Sequence, residues 1–202
     1  MKERASTFRA IAVETFFAAA VCTSLGLLVY GLDVLNIYRH KFVFVSYGLT
    51  GAFTFYSLRR LRPRDTLIFV LVIFLFQSVL LTRSVSNGKL LIDLIFFVPV
   101  PMSCAVFFWS YRKRGHEVVL YDPLILGAFA AATIAIARTL VTLKWIIAGI
   151  EGPWPSNPAS LLGEVIESFL IGAALGIGFW LLDRTSLKKA FHLTKGFTAR
   201  PA

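Results

Sequence analysis

The stretch GEVIESFLIGAALGIGFWLLD, residues 163–183, decides how this chain is to be read. Roughly 20 helical residues cross a hydrocarbon layer about 30 Å thick, and this run is long and apolar enough to do so. Yet it opens with Glu164 and Glu167, and then clears its side chains away at Gly172, Gly176 and Gly178. A segment built for lipid that carries two carboxylates needs partners for them. One that carries glycines four apart offers a face for another helix backbone.

The rest of the chain has the same character. Of 202 residues, 57% are apolar and 16% charged, with a mean hydropathy of +0.73. Ordinary soluble domains run at about 45–50% apolar and about 25% charged. Nineteen Phe and four Trp are more bulk than one soluble core of this size hides, and lipid accepts it directly. The formal charge of +10 could signal nucleic acid, but only if the basic residues formed one exposed stripe. They are instead dispersed among the connections between apolar runs, which sets nucleic acid aside as a partner.

Six such runs are readable, at residues 10–31, 42–58, 66–82, 90–110, 124–147 and 161–182. The connections alternate in charge. Lys2, Arg4 and Arg9 precede the first run, RRLRPRD follows the second, YRKRGHE follows the fourth, and Arg184, Lys188, Lys189, Lys195 and Arg200 follow the sixth. The intervening connections hold only Arg39, Lys41, Arg83 and Lys89, and EGPWPSNPAS holds no basic residue. The positive-inside rule turns this alternation into a prediction: an all-α polytopic integral membrane protein of the inner (plasma) membrane, with six transmembrane helices and both termini cytoplasmic. The apparent signal peptide at the start is read as an uncleaved first helix, since Glu14 interrupts it and apolar sequence continues beyond Cys22.

Residues 1–183 therefore form one transmembrane domain, and residues 184–202 a basic cytoplasmic tail. In the tail Leu187, Phe191 and Phe197 fall on one helical side and Lys188, Lys189, His192 and Lys195 on the other, a pattern suited to an anionic inner leaflet. Cys22 and Cys104 lie far apart inside apolar runs and read as small buried hydrophobes. No histidine or cysteine spacing suggests a metal or a cofactor.

Ionisable residues inside the membrane carry the functional expectation. Counting along the helices places Glu164 and Glu167 in the outer half of the sixth span, with Arg138 and Lys144 of the fifth at similar depths. A lone charge there costs about 2.5–3.5 kcal/mol at the helix centre, so pairs Arg138–Glu167 and Lys144–Glu164 are expected. Gln77 and Asp93 add polar atoms to the same half, and Trp154 in the fifth connection is placed to cover them. The groove at Gly172 and Gly176 is expected to receive the fourth helix, where Pro99 and Pro101 interrupt the amide ladder and free carbonyls. Glu14, in the inner half of the first span, stands apart from this group.

The motifs of common membrane enzymes are absent, and two carboxylates three apart beside two cations look more like paired ions than an acid and a base. In span number, size and basic cytoplasmic face the chain is similar to the substrate-binding S-components of energy-coupling-factor vitamin transporters. The same outline fits six-span accessory proteins of the cell-shape machinery. The intramembrane polar residues give the leading expectation, an outward-facing pocket for a small polar or zwitterionic solute, lined by Gln77, Asp93, Arg138, Glu164, Glu167 and Trp154. The alternative is a non-enzymatic scaffold or sensor subunit engaging a cytoplasmic or membrane protein partner.

Overall fold

The structure, a computed structural model, describes residues 2–31, 41–82, 99–147 and 158–184. Among them all regular structure is helical: α1 (Lys2–Gly31), α2 (Lys41–Arg60), α3 (Pro63–Thr82), α4 (Pro99–Lys113), α5 (Asp122–Ile147) and α6 (Pro158–Arg184). Three of these, over Ser6–Val29, Asp122–Leu140 and Leu161–Arg184, are long and apolar enough to cross a membrane. Asp93, Trp154 and the tail beyond Arg184 lie outside the described residues. Gln77 and Lys144 fall in α3 and α5, but their side chains are likewise outside the description.

The turns that join helices follow from local chemistry. Pro63 opens α3, where its missing amide and fixed φ suit a first helical position, and Asp65 follows in the first turn. At the end of α4 the amides of Gly115 and His116 donate to the carbonyls of Arg112 (3.4 Å) and Tyr111 (3.1 Å). Gly115 and His116 have φ of 81° and 69°, so the chain leaves the helix through a left-handed glycine closure. Asp122 then starts α5, its Oδ2 accepting from the Val119 amide at 2.7 Å.

Both turns, the first residues of α1 and the last of α6 sit at one end of the bundle, hereafter the arginine-rich end. Phe8 meets Phe69, Glu14 meets Arg60, and Arg59 meets both Tyr111 and Asp183. Helices α2, α4 and α6 thus run toward this end, and α1, α3 and α5 away from it. Helix α2 is the hub, touching α1, α3, α4 and α6, while the broadest contact is between α5 and α6.

Aromatic packing holds the middle. Phe55 of α2 is fully buried and stacks on Phe179 of α6 at 4.3 Å between centroids, with Phe107 and Tyr111 of α4 at 5.6 and 5.3 Å. Where lipid replaces water there is no release of water between helices, so close contact of this kind is what holds them. Cys22 and Cys104 are buried in the same core, as small hydrophobes would be.

The small residues of α6 set its two neighbours. A Cβ at Gly172 would stand 2.7 Å from the carbonyl oxygen of Leu126, and one at Gly176 only 3.0 Å from the Pro123 nitrogen. The helix that enters this groove is therefore α5, not α4 as the proline depth suggested. Consecutive in the chain and antiparallel, α5 and α6 lie along each other over 26 and 27 residues, whereas α4 packs on α2 and α5. Pro99 and Pro101 stand in the first turn of α4, and the Pro99 carbonyl accepts a hydrogen bond from Thr133 of α5 at 3.3 Å.

Candidate functional site

The seam between α5 and α6 determines which charges meet. Gly176 lies against Pro123, and Gly172 against Leu126 and Ala130, so moving along α6 away from the arginine-rich end advances along α5. Continuing that register brings Arg138 level with Glu164. The Arg138 Nε donates to Glu164 Oε2 and its Nη2 to Oε1, a two-bond fork between planar groups. Arg138 is only 7% exposed, so its charge requires such a partner.

The pairing expected from depth alone, Arg138 with Glu167, is thereby corrected. Depth along a helix axis cannot tell two carboxylates three residues apart from each other; the interhelical register can. Glu164 is also the carboxylate that had been assigned to Lys144. Glu167 is left with a buried Oε1 that has no hydrogen-bond partner among the described residues. One turn further along α6, Ser168 is buried and Gly172 is closed by α5.

A second group of charges, at the arginine-rich end, was not anticipated. Glu14 is 1% exposed and accepts from Arg60 Nε at 2.9 Å and Nη2 at 2.8 Å. Beside it Arg59 Nη1 lies 3.6 Å from Asp183 Oδ1, without hydrogen-bond geometry at that nitrogen. Arg114 Nη1 lies 2.6 Å from Asp122 Oδ1, and Asp122 is fully buried. Glu14, Tyr56, Arg59, Tyr111 and Asp183 are all within electrostatic reach of one another.

Two signals in the sequence could have located this group. Glu14 is an acid within an apolar run, so it must have a cation at its own depth. RRLRPRD begins four residues before the proline that starts α3, room enough for Arg59 and Arg60 to belong to the end of α2 rather than to the connection. Reading them as connection residues made them determinants of orientation only.

No family model matches the sequence, and no curated protein or solved structure matches it either.

Proposed function

We propose that this chain is a six-span protein of the inner (plasma) membrane, both termini cytoplasmic, that binds or passes a small polar or zwitterionic solute in its outer half. The observation that supports this reading is Glu167: a buried carboxylate oxygen without a hydrogen-bond partner among the described residues, three positions from a Glu164 already engaged by Arg138. Burying such an oxygen unpaired costs free energy, so it is a place where a cationic group of a solute is worth most. In this reading Glu167 meets an ammonium or similar group. The anionic group of a zwitterion competes with Glu164 for the Arg138 fork. From the sequence Gln77, Asp93 and Trp154 are further candidates for this site; Asp93 and Trp154 lie outside the described residues, as does the Gln77 side chain.

The test uses full-length protein in which Glu167 is replaced by Gln, which preserves shape and removes the charge. Solute binding or uptake should fall while folded yield is kept, and unchanged binding of a cationic or zwitterionic solute would remove Glu167 from the site.

A second reading, a scaffold or sensor subunit, is favoured by a different observation: the Arg138–Glu164 fork ties α5 to α6 just as Glu14–Arg60 ties α1 to α2. On that reading both pairs are interhelical fastenings and the cytoplasmic arginines meet a protein partner. Single cysteines at Gln77 and Glu167 separate the two readings. Reaction with a small polar thiol reagent supports a wet site, and silence at both supports the scaffold.

A further inference from the structure

The arginine-rich end holds an excess of hydrogen-bond donors over acceptors. Arg59 Nη1, Tyr111 Oη, Ser57 Oγ, Thr15 Oγ1 and Trp180 Nε1 are all buried and all lack a hydrogen-bond partner among the described residues. Each can donate; of the carboxylates nearby, Glu14 takes both of its bonds from Arg60, Asp122 accepts the Val119 amide at Oδ2 and has Arg114 beside Oδ1, and Asp183 is paired with Arg59. Buried donors without acceptors are costly, and groups of them are uncommon in native structures.

Two of these donors belong to side chains that meet, Arg59 and Tyr111. The guanidinium of Arg59 stands 5.8 Å from the centroid of the Tyr111 ring, and Tyr111 itself is 0% exposed. The other flank of Tyr111 is covered edge-on by the His116 ring at 5.4 Å, and His116 is exposed on the left-handed turn that ends α4. The Arg59 side chain keeps 24% of its surface open at the end of the bundle, although Nη1 itself is buried. Its pairing with Asp183 at 3.6 Å is loose beside the Glu14–Arg60 fork at 2.8 Å.

We propose that Arg59 and Tyr111 form a binding site for a phosphate-class oxyanion at the arginine-rich end, with His116 at its mouth. A tetrahedral oxyanion supplies what the site lacks, namely acceptor oxygens for a guanidinium nitrogen that its own carboxylate, at 3.6 Å, does not hydrogen-bond. The oxyanion takes one bond from Arg59 Nη1 and one from the Tyr111 hydroxyl, entering as the exposed His116 ring turns aside. Exposed Arg62 and Arg112 lie on the flanking segments and draw anions toward this end without being part of the site. A lipid headgroup and free phosphate present the same oxygens to this site.

The test is binding to the purified full-length protein in a neutral detergent, read as thermal stabilisation and as adducts in native mass spectrometry. The probes are phosphatidylglycerol and inorganic phosphate. Tyr111→Phe removes one oxygen and keeps the ring, and Arg59→Gln made together with Asp183→Asn leaves no carboxylate stranded. Each should weaken binding roughly tenfold, the size expected for losing a hydrogen bond to a charged group. Arg62→Gln, which removes the same charge from an exposed position, should change binding by less than about twofold. Binding of phosphatidylglycerol alone assigns the site to lipid, and binding of both probes assigns it to the phosphate group itself; either supports the proposal. Failure of both probes to bind, undiminished binding by Tyr111→Phe, or an equal loss from Arg62→Gln would overturn it.

Discussion

Arg60 grips Glu14 with two hydrogen bonds, at 2.8 and 2.9 Å, across the interface between α2 and α1. The carboxylate is almost wholly enclosed, while the Arg60 side chain keeps 18% of its surface open. Removing one partner leaves the other charged and buried, which typically costs about 3–5 kcal/mol, whereas replacing both by apolar residues of similar size is often neutral. Glu14→Leu and Arg60→Met should each lower the thermal unfolding midpoint in detergent substantially. The double variant should recover most of that loss. Additive effects would mean that the pair does not act as one unit.

The fork between α5 and α6 gives a sharper comparison, because two carboxylates compete for one guanidinium. In double-mutant cycles Arg138→Ala should couple strongly to Glu164→Ala, by roughly 1–3 kcal/mol, and weakly to Glu167→Ala. The reverse ranking would place the seam one turn away from the register set by Gly172 and Gly176.

How much of this was legible in the residues differs by level. The helices at residues 10–31, 66–82 and 124–147 were readable because apolar runs bounded by charge and proline leave the backbone few alternatives. That Arg138 needed a carboxylate on α6 was readable from depth. Which carboxylate it takes was not, since that depends on how Pro123 and Leu126 seat against glycines of the next helix. Glu14 was recognised as an acid inside an apolar run and yet assigned no partner, because its cation, Arg60, was read as part of a connection and belongs to the last turn of α2. The identity of the helix in the Gly172 groove was missed for a related reason: shared depth is necessary for contact, but six helices at one depth leave many pairs.

Added bulk at the seam should act through the backbone of α5. The Leu126 carbonyl cannot retreat as a flexible side-chain tip would, so Gly172→Leu is expected to force α5 and α6 apart and cut folded yield severely. Ala20→Leu, on an exposed face of α1, serves as the control and should be tolerated. Equal yields, measured by size-exclusion chromatography in detergent, would mean that the seam can open without loss.

Orientation is open to labelling. Cys22 and Cys104 are buried, so a cysteine introduced elsewhere reports cleanly. An impermeant thiol reagent added to intact cells should mark Ser156→Cys and spare Ser186→Cys, and the opposite pattern would reverse the charge-bias argument.

Helix α2 is enclosed by α1, α3, α4 and α6, and it buries Thr50, Thr54 and Ser57 among them. It does not rank with the three helices apolar enough to cross a membrane unaided. A helix that meets protein around most of its circumference has no need to satisfy lipid, and hydroxyls can be spent on its sides. The consequence falls on biogenesis. A chain emerging from a ribosome exposes α2 before α4 and α6 exist, when only α1 is present to receive it. Of the four helices that enclose α2, only α1 precedes it in the chain, and the Glu14–Arg60 fork is the ion pair that joins those two.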